Sequence, residues 1–277
     1  MLWFPHAKIN IGLSILNKRN DGFHSIESMI CPIPMYDILE IVESLPRDSN
    51  ENKKDNLVFS GQPIHCPKDD NLVWKALILL RNKYNFPIVD IHLHKQIPSG
   101  AGLGGGSSDA AYTLLGINEL FRLGIKQKQL HAFAVELGSD CAFFLKYQSQ
   151  LTWGRGELLR DYSLSIDSCK LALIVPDFKV STQQAYARIS PDKPDKKLIN
   201  AIERPMKFWK EEIVNHFESI VFKDFPALLN LKEELYNEGA IYSSLSGSGS
   251  SVYAMFSQQK ELQLSDKFKI FWMDFSG

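Results

Sequence analysis

Five glycines fall within residues 100–106, inside the stretch KQIPSGAGLGGGSSDAA that covers residues 95–111. A segment so poor in side chains lets backbone N–H groups turn toward a ligand. Where it also opens a helix, the free N–H groups of the first turn and the helix dipole both favour an anion, a phosphate above all. The flanks fit that use. Residues 88–94 alternate, with Val89, Ile91 and Leu93 on one side and Asp90, His92 and His94 on the other, which predicts a strand. Behind the glycines, Ala110, Ala111, Leu114, Leu115 and Phe121 recur at helical spacing, with Gly124 as the stop. The competing use is a flexible turn, which such regular flanks disfavour.

Of two common phosphate-loop chemistries, one fails and the other is disfavoured by what is missing. A GxxxxGK[ST] loop needs a lysine to reach the β- and γ-phosphates, and no lysine follows Gly106 until Lys126. A dinucleotide fingerprint GxGxxG is literally present at residues 100–105. It also requires an acidic residue about 20 positions later for the ribose, where this chain reads Gly124-Ile125-Lys126-Gln127-Lys128.

Other residues stand out by position. Lys8 and Asn10 lie two apart in the alternating run 7–16 and so share its polar side, opposite Ile9, Ile11, Leu13 and Ile15. That side is either a solvated edge of a half-buried strand or part of a site. Asp140 heads the apolar run 141–145, as a helix cap or as a lone carboxylate with work to do. Asn20-Asp21-Gly22 is a turn that delivers Phe23 and His24. A second glycine turn, Ser246-Gly247-Ser248-Gly249-Ser250, separates two strand-like runs, 241–245 and 251–256.

The elements that must position these residues alternate irregularly along the chain. Strands are predicted at 7–16, 25–30, 37–42, 88–94, 171–175, 241–245, 251–256 and 268–273. A loop tip is expected at 48–56. A helix of about 14 residues is expected after Asp69-Asp70-Asn71, and others at 127–137, 182–189, 205–217 and 226–238, with a charged loop at 191–197. Without strict βαβ alternation the class is α+β. The 277 residues suggest two domains, cut at 1–150 and 151–277.

Lys and Arg total 31 against 32 Asp and Glu, for a net charge of −1, so nothing favours a nucleic acid or an anionic membrane as partner. Cys31, Cys66, Cys141 and Cys169 show neither disulfide nor zinc spacing, which fits a reducing compartment. No apolar run approaches the ~18 residues of a membrane span. The apolar opening residues 1–16 are interrupted by Pro5, Lys8 and Asn10 and lack a cleavage site. A cytoplasmic location is expected.

Pro98-Ser99-Gly100-Ala101-Gly102-Leu103-Gly104-Gly105-Gly106-Ser107-Ser108 resembles the phosphate loop of the GHMP kinase superfamily. Pro5-His6-Ala7-Lys8-Ile9-Asn10 resembles its lysine-bearing first strand, and residues 246–250 its C-terminal glycine turn. Within that superfamily, Ala7-Lys8-Ile9-Asn10, Asp21-Gly22-Phe23-His24, the triple glycine before Ser107-Ser108, Gly138-Ser139-Asp140 and Arg155-Gly156-Glu157 are similar to the branch acting on a cytidine-diphosphate-linked methylerythritol. The resemblance covers nearly the whole chain. It implies a nucleotide-binding N-terminal domain, a ferredoxin-like C-terminal domain and a cleft site between them. The implied reaction moves the γ-phosphate of ATP onto a 2-hydroxyl on the route to isoprenoid precursors.

The same resemblance implies Asp140 as general base beside Lys8, residues 98–108 around the ATP phosphates, and Asn10, Phe23, His24 and Tyr186 at the acceptor. Mg²⁺ is expected with the nucleotide, and the residues name no ligand for it. Three alternatives stay open: Ser107 and Ser108 as helix caps or phosphate contacts, Lys95 as a nucleotide contact or a solvated side chain, and Phe23 and Tyr186 as stacking or core rings. The chain departs from the family where Phe23 replaces the usual Tyr, and where Ser139, Cys141 and Ala142 surround Asp140 in place of Ala, Val and Pro. Neither change removes a charge. Other small alcohols as acceptor, or a silent nucleotide-binding role, are the competing functions.

Overall fold

The computed structural model describes residues 1–44, 54–164, 169–191 and 198–275. Its first half runs β1 (Leu2–Trp3), β2 (His6–Lys18), β3 (His24–Tyr36), β4 (Ile38–Glu43), β5 (Asn56–Gly61), α1 (Leu72–Arg81), β6 (Val89–Lys95), α2 (Gly105–Leu120) and α3 (Gln127–Leu137). The second half runs β7 (Gln150–Trp153), β8 (Leu158–Asp161), β9 (Cys169–Pro176), α4 (Thr182–Arg188), α5 (Leu198–Ile202), α6 (Trp209–Glu212), α7 (Glu218–Asp224), α8 (Pro226–Asn237), β10 (Tyr242–Leu245), β11 (Val252–Phe256) and β12 (Phe268–Phe275). Helices and largely antiparallel sheets mix as the α+β class requires.

Two compact units form, each drawn from more than one stretch of the chain. The first gathers residues 1–7, 35–99 and 104–147; the second gathers 8–34, 100–103 and 148–277. The reason is strand pairing. β2 and β3 share a four-stranded sheet with β7 and β8, in the order β2-β3-β7-β8, so the early strands belong with late chain.

In the first unit, the sheet β1-β4-β6-β5 carries β6 between an antiparallel β4 and a parallel β5. Val89, Ile91 and Leu93 are buried, as the alternation predicts. α1 starts where Asn71 accepts the N–H of Val73 at 2.9 Å, and it is 10 residues long rather than 14. α2 presses close to the sheet at Gly116, where a Cβ would meet Ile41 at 2.8 Å. Of the predicted loop tip, residues 48–53 lie outside the described residues, and Asn56 already begins β5, a strand that the polar run before it conceals.

His6 closes this unit's aromatic corner. Its ring is fully buried, 4.7 Å from Tyr147 and 5.1 Å from Phe144 between centroids, and Nδ1 lies 3.0 Å from the Tyr112 hydroxyl. Burial lowers its pKa to about 4. The unfolded chain therefore takes up a proton near pH 6.5, which the folded chain resists until about pH 4, and stability falls as pH drops through that window. Between pH 7.5 and 5 the loss from this one group should be about 2 kcal/mol. Urea titrations of the native chain and His6→Gln at both pH values check it: the difference should shrink by about that amount in the variant.

The second unit holds two sheets. Residues 6–15 of β2 are buried on both sides, Lys8 and Asn10 included, so this is not a half-buried strand with a solvated edge. At Gly12 (φ +66°) a Cβ would strike Leu198 at 2.7 Å and Ile213 at 2.8 Å, which shows what covers the polar side. The other sheet, β10-β11-β9-β12, is antiparallel throughout its pairs. With β9 counted first, its order is the 4-1-3-2 of a ferredoxin-like sheet, and residues 257–267 supply no helix before the last strand.

The predicted helix at 205–217 is broken. A 3-10 turn (Met206–Phe208) and the four-residue α6 come first; then residues 213–216 extend alongside β2. Leu13 donates its N–H to Val214 at 3.1 Å and accepts from His216 at 2.8 Å. Tertiary pairing has overridden helical spacing. The charged loop read at 191–197 lies, from 192 on, outside the described residues.

Candidate active site

Residues 100–103 of the glycine stretch are built into the second unit. Leu103 accepts the backbone N–H of Lys8 at 3.0 Å, and Ala101 accepts that of Ser251 at 3.1 Å. The Ser246 hydroxyl donates to the Gly102 carbonyl at 2.9 Å. Gly102, at φ +78°, has no room for a side chain: a Cβ would lie 2.0 Å from the Ser246 carbonyl oxygen. Three stretches far apart in sequence, residues 8–10, 100–103 and 246–251, therefore meet.

Lys8 points into that meeting place. Its ammonium donates to Asn10 Oδ1, and a Cβ on Gly247 would come within 3.2 Å of Lys8 Nζ, 3.4 Å of Asn10 Oδ1 and 3.4 Å of the Gly102 carbonyl. Asn10 is fixed from both ends. Its side-chain amide donates to Ser28 at 2.8 Å, and its backbone carbonyl accepts from Tyr253 at 2.8 Å. A cation held by a rigid amide beside two glycine turns is suited to anionic oxygen.

The rest of the stretch opens α2 in the first unit. Gly104, at φ +71°, is the N-cap, so Ser107 and Ser108 stand inside the first turns and cap nothing. Ser108 is fully buried, its hydroxyl without a partner, and Ser107 hydrogen-bonds the Cys141 thiol. Gly106 has no neighbour within 4 Å of where a Cβ would be, and its φ is ordinary. Neither packing nor backbone conformation requires glycine there. In the same unit Asp140 precedes the 3-10 helix Cys141–Leu145, and its side chain makes no capping bond. Residues 141–144 are buried, and burial pushes the Cys141 thiol up to about 12, so Asp140 sits on a firmly anchored segment.

Lys95 is not solvated. It is 4% exposed and ion-paired with Asp37 and, at 2.7 Å, with Asp109. Neither carboxylate stands out in the sequence, because Asp37 reads as the start of a strand and Asp109 as one more residue of a small-residue helix start.

On the second unit, Phe23 is half exposed, so it is no core residue. The turn before it is held by Asp21, which accepts the Phe23 N–H at 3.1 Å and pairs with Arg19 at 3.0 Å. The Arg155 guanidinium lies 4.8 Å from the Phe23 ring centre, a partner that sequence reading did not assign. His24 and Tyr186 are brought together at 5.5 Å, and Tyr186 packs edge-on against Phe217 at 4.8 Å. Burial, then Lys18, lowers the His24 pKa, which keeps the ring neutral and able both to donate and to accept.

Residues 71–146 match the family model described as GHMP kinases N terminal domain, and 196–272 the GHMP kinases C terminal model. The 4-diphosphocytidyl-2-C-methyl-D-erythritol kinases of Bacteroides thetaiotaomicron and Bacteroides fragilis are each 44% identical to this chain, with 96% of both chains covered. The chain belongs to the 4-diphosphocytidyl-2-C-methyl-D-erythritol kinase branch of the GHMP kinases. A crystal structure of 4-(cytidine 5'-diphospho)-2C-methyl-D-erythritol kinase, 29% identical, matches with a TM-score of 0.76 over 92% of this chain and 90% of its own. As a GHMP kinase the chain is an ATP-dependent small-molecule kinase with the two-domain fold of that family.

Among the described residues no group of three or more His, Cys, Asp or Glu converges as a metal cage. The Ser107 hydroxyl stands in the first turn of α2.

Proposed function

We infer that the chain transfers the γ-phosphate of ATP to the 2-hydroxyl of 4-diphosphocytidyl-2-C-methyl-D-erythritol, a step toward isoprenoid precursors. The observation that carries this reading is the convergence of Lys8 Nζ and Asn10 on the backbone of Gly102 and Gly247. Phosphoryl transfer asks a protein mainly for positioning and charge stabilisation. The backbone N–H groups of residues 102–108 cradle the phosphates, with residues 98–101 leading in. Lys8, its ammonium oriented by Asn10, meets the charge that develops on the transferred group. Asp140 accepts the hydroxyl proton, and a carboxylate is base enough because proton transfer comes late in a loose transition state. Mg²⁺, when bound with ATP, neutralises adjacent phosphates.

Phe23, backed by Arg155, offers its open face to the cytosine. His24 and Tyr186, in mutual contact, supply a polar edge and a second ring. Stacking contributes about 1–3 kcal/mol per base, so Phe23→Ala should raise the KM for the cytidine acceptor about fivefold to a hundredfold with the KM for ATP unchanged. Steady-state kinetics with each substrate varied in turn check it; an effect confined to ATP would misplace Phe23. The function itself is tested by ATP-dependent phosphorylation of a panel of acceptors, comprising the cytidine substrate, mevalonate, homoserine and galactose. Turnover restricted to the cytidine compound is the expected result, and preference for another alcohol would overturn it. We place the enzyme in the cytoplasm, where four free cysteines stay reduced.

A further inference from the structure

Lys95, Asp37 and Asp109 form a buried cluster of three ionisable groups in the first unit, at 4%, 0% and 2% exposure. Lys95 sits at the end of β6 and donates to both carboxylates, at 2.7 Å to Asp109. The second Asp37 oxygen accepts the backbone N–H groups of Gln96 at 2.6 Å and Ile97 at 2.9 Å. Those two residues carry the chain out of β6 toward the glycines. Asp109 lies just past the glycines in α2, one turn into the helix. Between them, a Cβ on Gly105 would meet Lys95 Nζ at 3.1 Å and Ile97 at 3.0 Å, so the ammonium lies close against the first residue of α2.

Stability is a poor reason for such a cluster. Desolvating charges offsets most of their attraction, and well-packed apolar side chains do as well or better. Here two acids share one ammonium, and burial, only partly offset by Lys95, raises Asp109 above the usual carboxylate range. Asp109 Oδ1 is left buried without a partner, as is the hydroxyl of the preceding residue, Ser108. What the cluster supplies is geometry: one ammonium ties the strand that enters the glycine stretch to the helix that leaves it.

We propose that Lys95, Asp37 and Asp109 are positioning residues for the nucleotide, clamping both ends of the glycine stretch so that its N–H groups are preset for phosphate. Lys95 acts on ATP through the backbone and does not touch it. The proposal rests on the assignment of this stretch as the ATP loop. Calorimetric titration with a non-hydrolysable ATP analogue, on the native chain, Lys95→Met and Asp109→Asn, tests it alongside the KM for the acceptor and the melting temperature. Both variants should weaken the analogue about tenfold or more while the acceptor KM stays within about twofold. A lysine that touches ATP directly gives the opposite pattern: Lys95→Met weakens binding, but Asp109→Asn, which frees the ammonium, leaves it native or tighter. That result overturns the proposal, as does a lowered melting temperature with native ATP affinity in both variants. Should Lys95→Met fail to fold, the near-isosteric Asp109→Asn decides alone, and native affinity in it is fatal to the clamp. Failure of the native chain to bind the analogue at all would instead overturn the assignment of the loop.

Discussion

Asp140→Asn should lower kcat by about a hundredfold to ten-thousandfold while ATP still binds, because general-base assistance contributes on that scale. The substitution keeps size and shape but removes the carboxylate proposed to take the proton. The segment tolerates it for a visible reason. Asp140 makes no side-chain capping bond to the 3-10 helix Cys141–Leu145, whose hold on the unit comes from the buried Cys141, Ala142, Phe143 and Phe144. Loss of turnover should therefore arrive without loss of stability. Single-turnover kinetics at saturating substrates, read beside a thermal melt, separate the two. Near-native turnover would remove Asp140 from the chemistry.

Gly102→Ala should be the most damaging change in the glycine stretch, destabilising the chain by about 3 kcal/mol or more and abolishing ATP binding in what remains folded. Two effects combine at this position. The backbone sits at φ +78°, which an L side chain adopts only under strain, and the new Cβ would fall 2.0 Å from the Ser246 carbonyl oxygen. Backbone cannot yield as a flexible side chain can. The strand ends that meet here would have to part, taking with them the Ser246–Gly102 bond and the place where Lys8 points. Gly106→Ala is the control, with an ordinary φ and no neighbour within 4 Å; it should fold normally and show its effect only on nucleotide affinity. Equal melting temperatures for Gly102→Ala and the native chain would contradict the account.

Much of this was readable from residues, and the failures share a cause. The glycine stretch, its strand and α2 followed from local pattern, because φ > 0 and helix starts are local requirements. α3 followed as well, since its amphipathic spacing and closing Gly138 leave little to context. The misreadings arose where distant chain intervened. Residues 213–216 have helical spacing but are recruited by β2, and β2 itself looks half-buried because the side chains that cover it, Leu198 and Ile213, come about 200 residues later. Asp37 and Asp109 were invisible for the same reason: a carboxylate reads as solvent-facing until its lysine is known. The meeting of Lys8, Gly102 and Ser246 is likewise a tertiary fact, which only a family resemblance could suggest beforehand.

The interleaving of the two units has a consequence for how the chain is made. The first unit has all its residues once synthesis passes residue 147, so its core is complete while nearly half the chain is still to come. The second unit must wait. β2, with ten successive buried residues, emerges among the first but finds the strand partners of its sheet's far side only at residues 150–161, and the segment that pairs beside Leu13 only at residues 214–216. β3 follows at once on one side, but until residues 214–216 emerge the other edge of β2 lacks its partner, the state in which a strand invites a wrong one. Lys8 and Asn10, set among its isoleucines and tied to each other and to Ser28, are the polar residues that interrupt its apolar run.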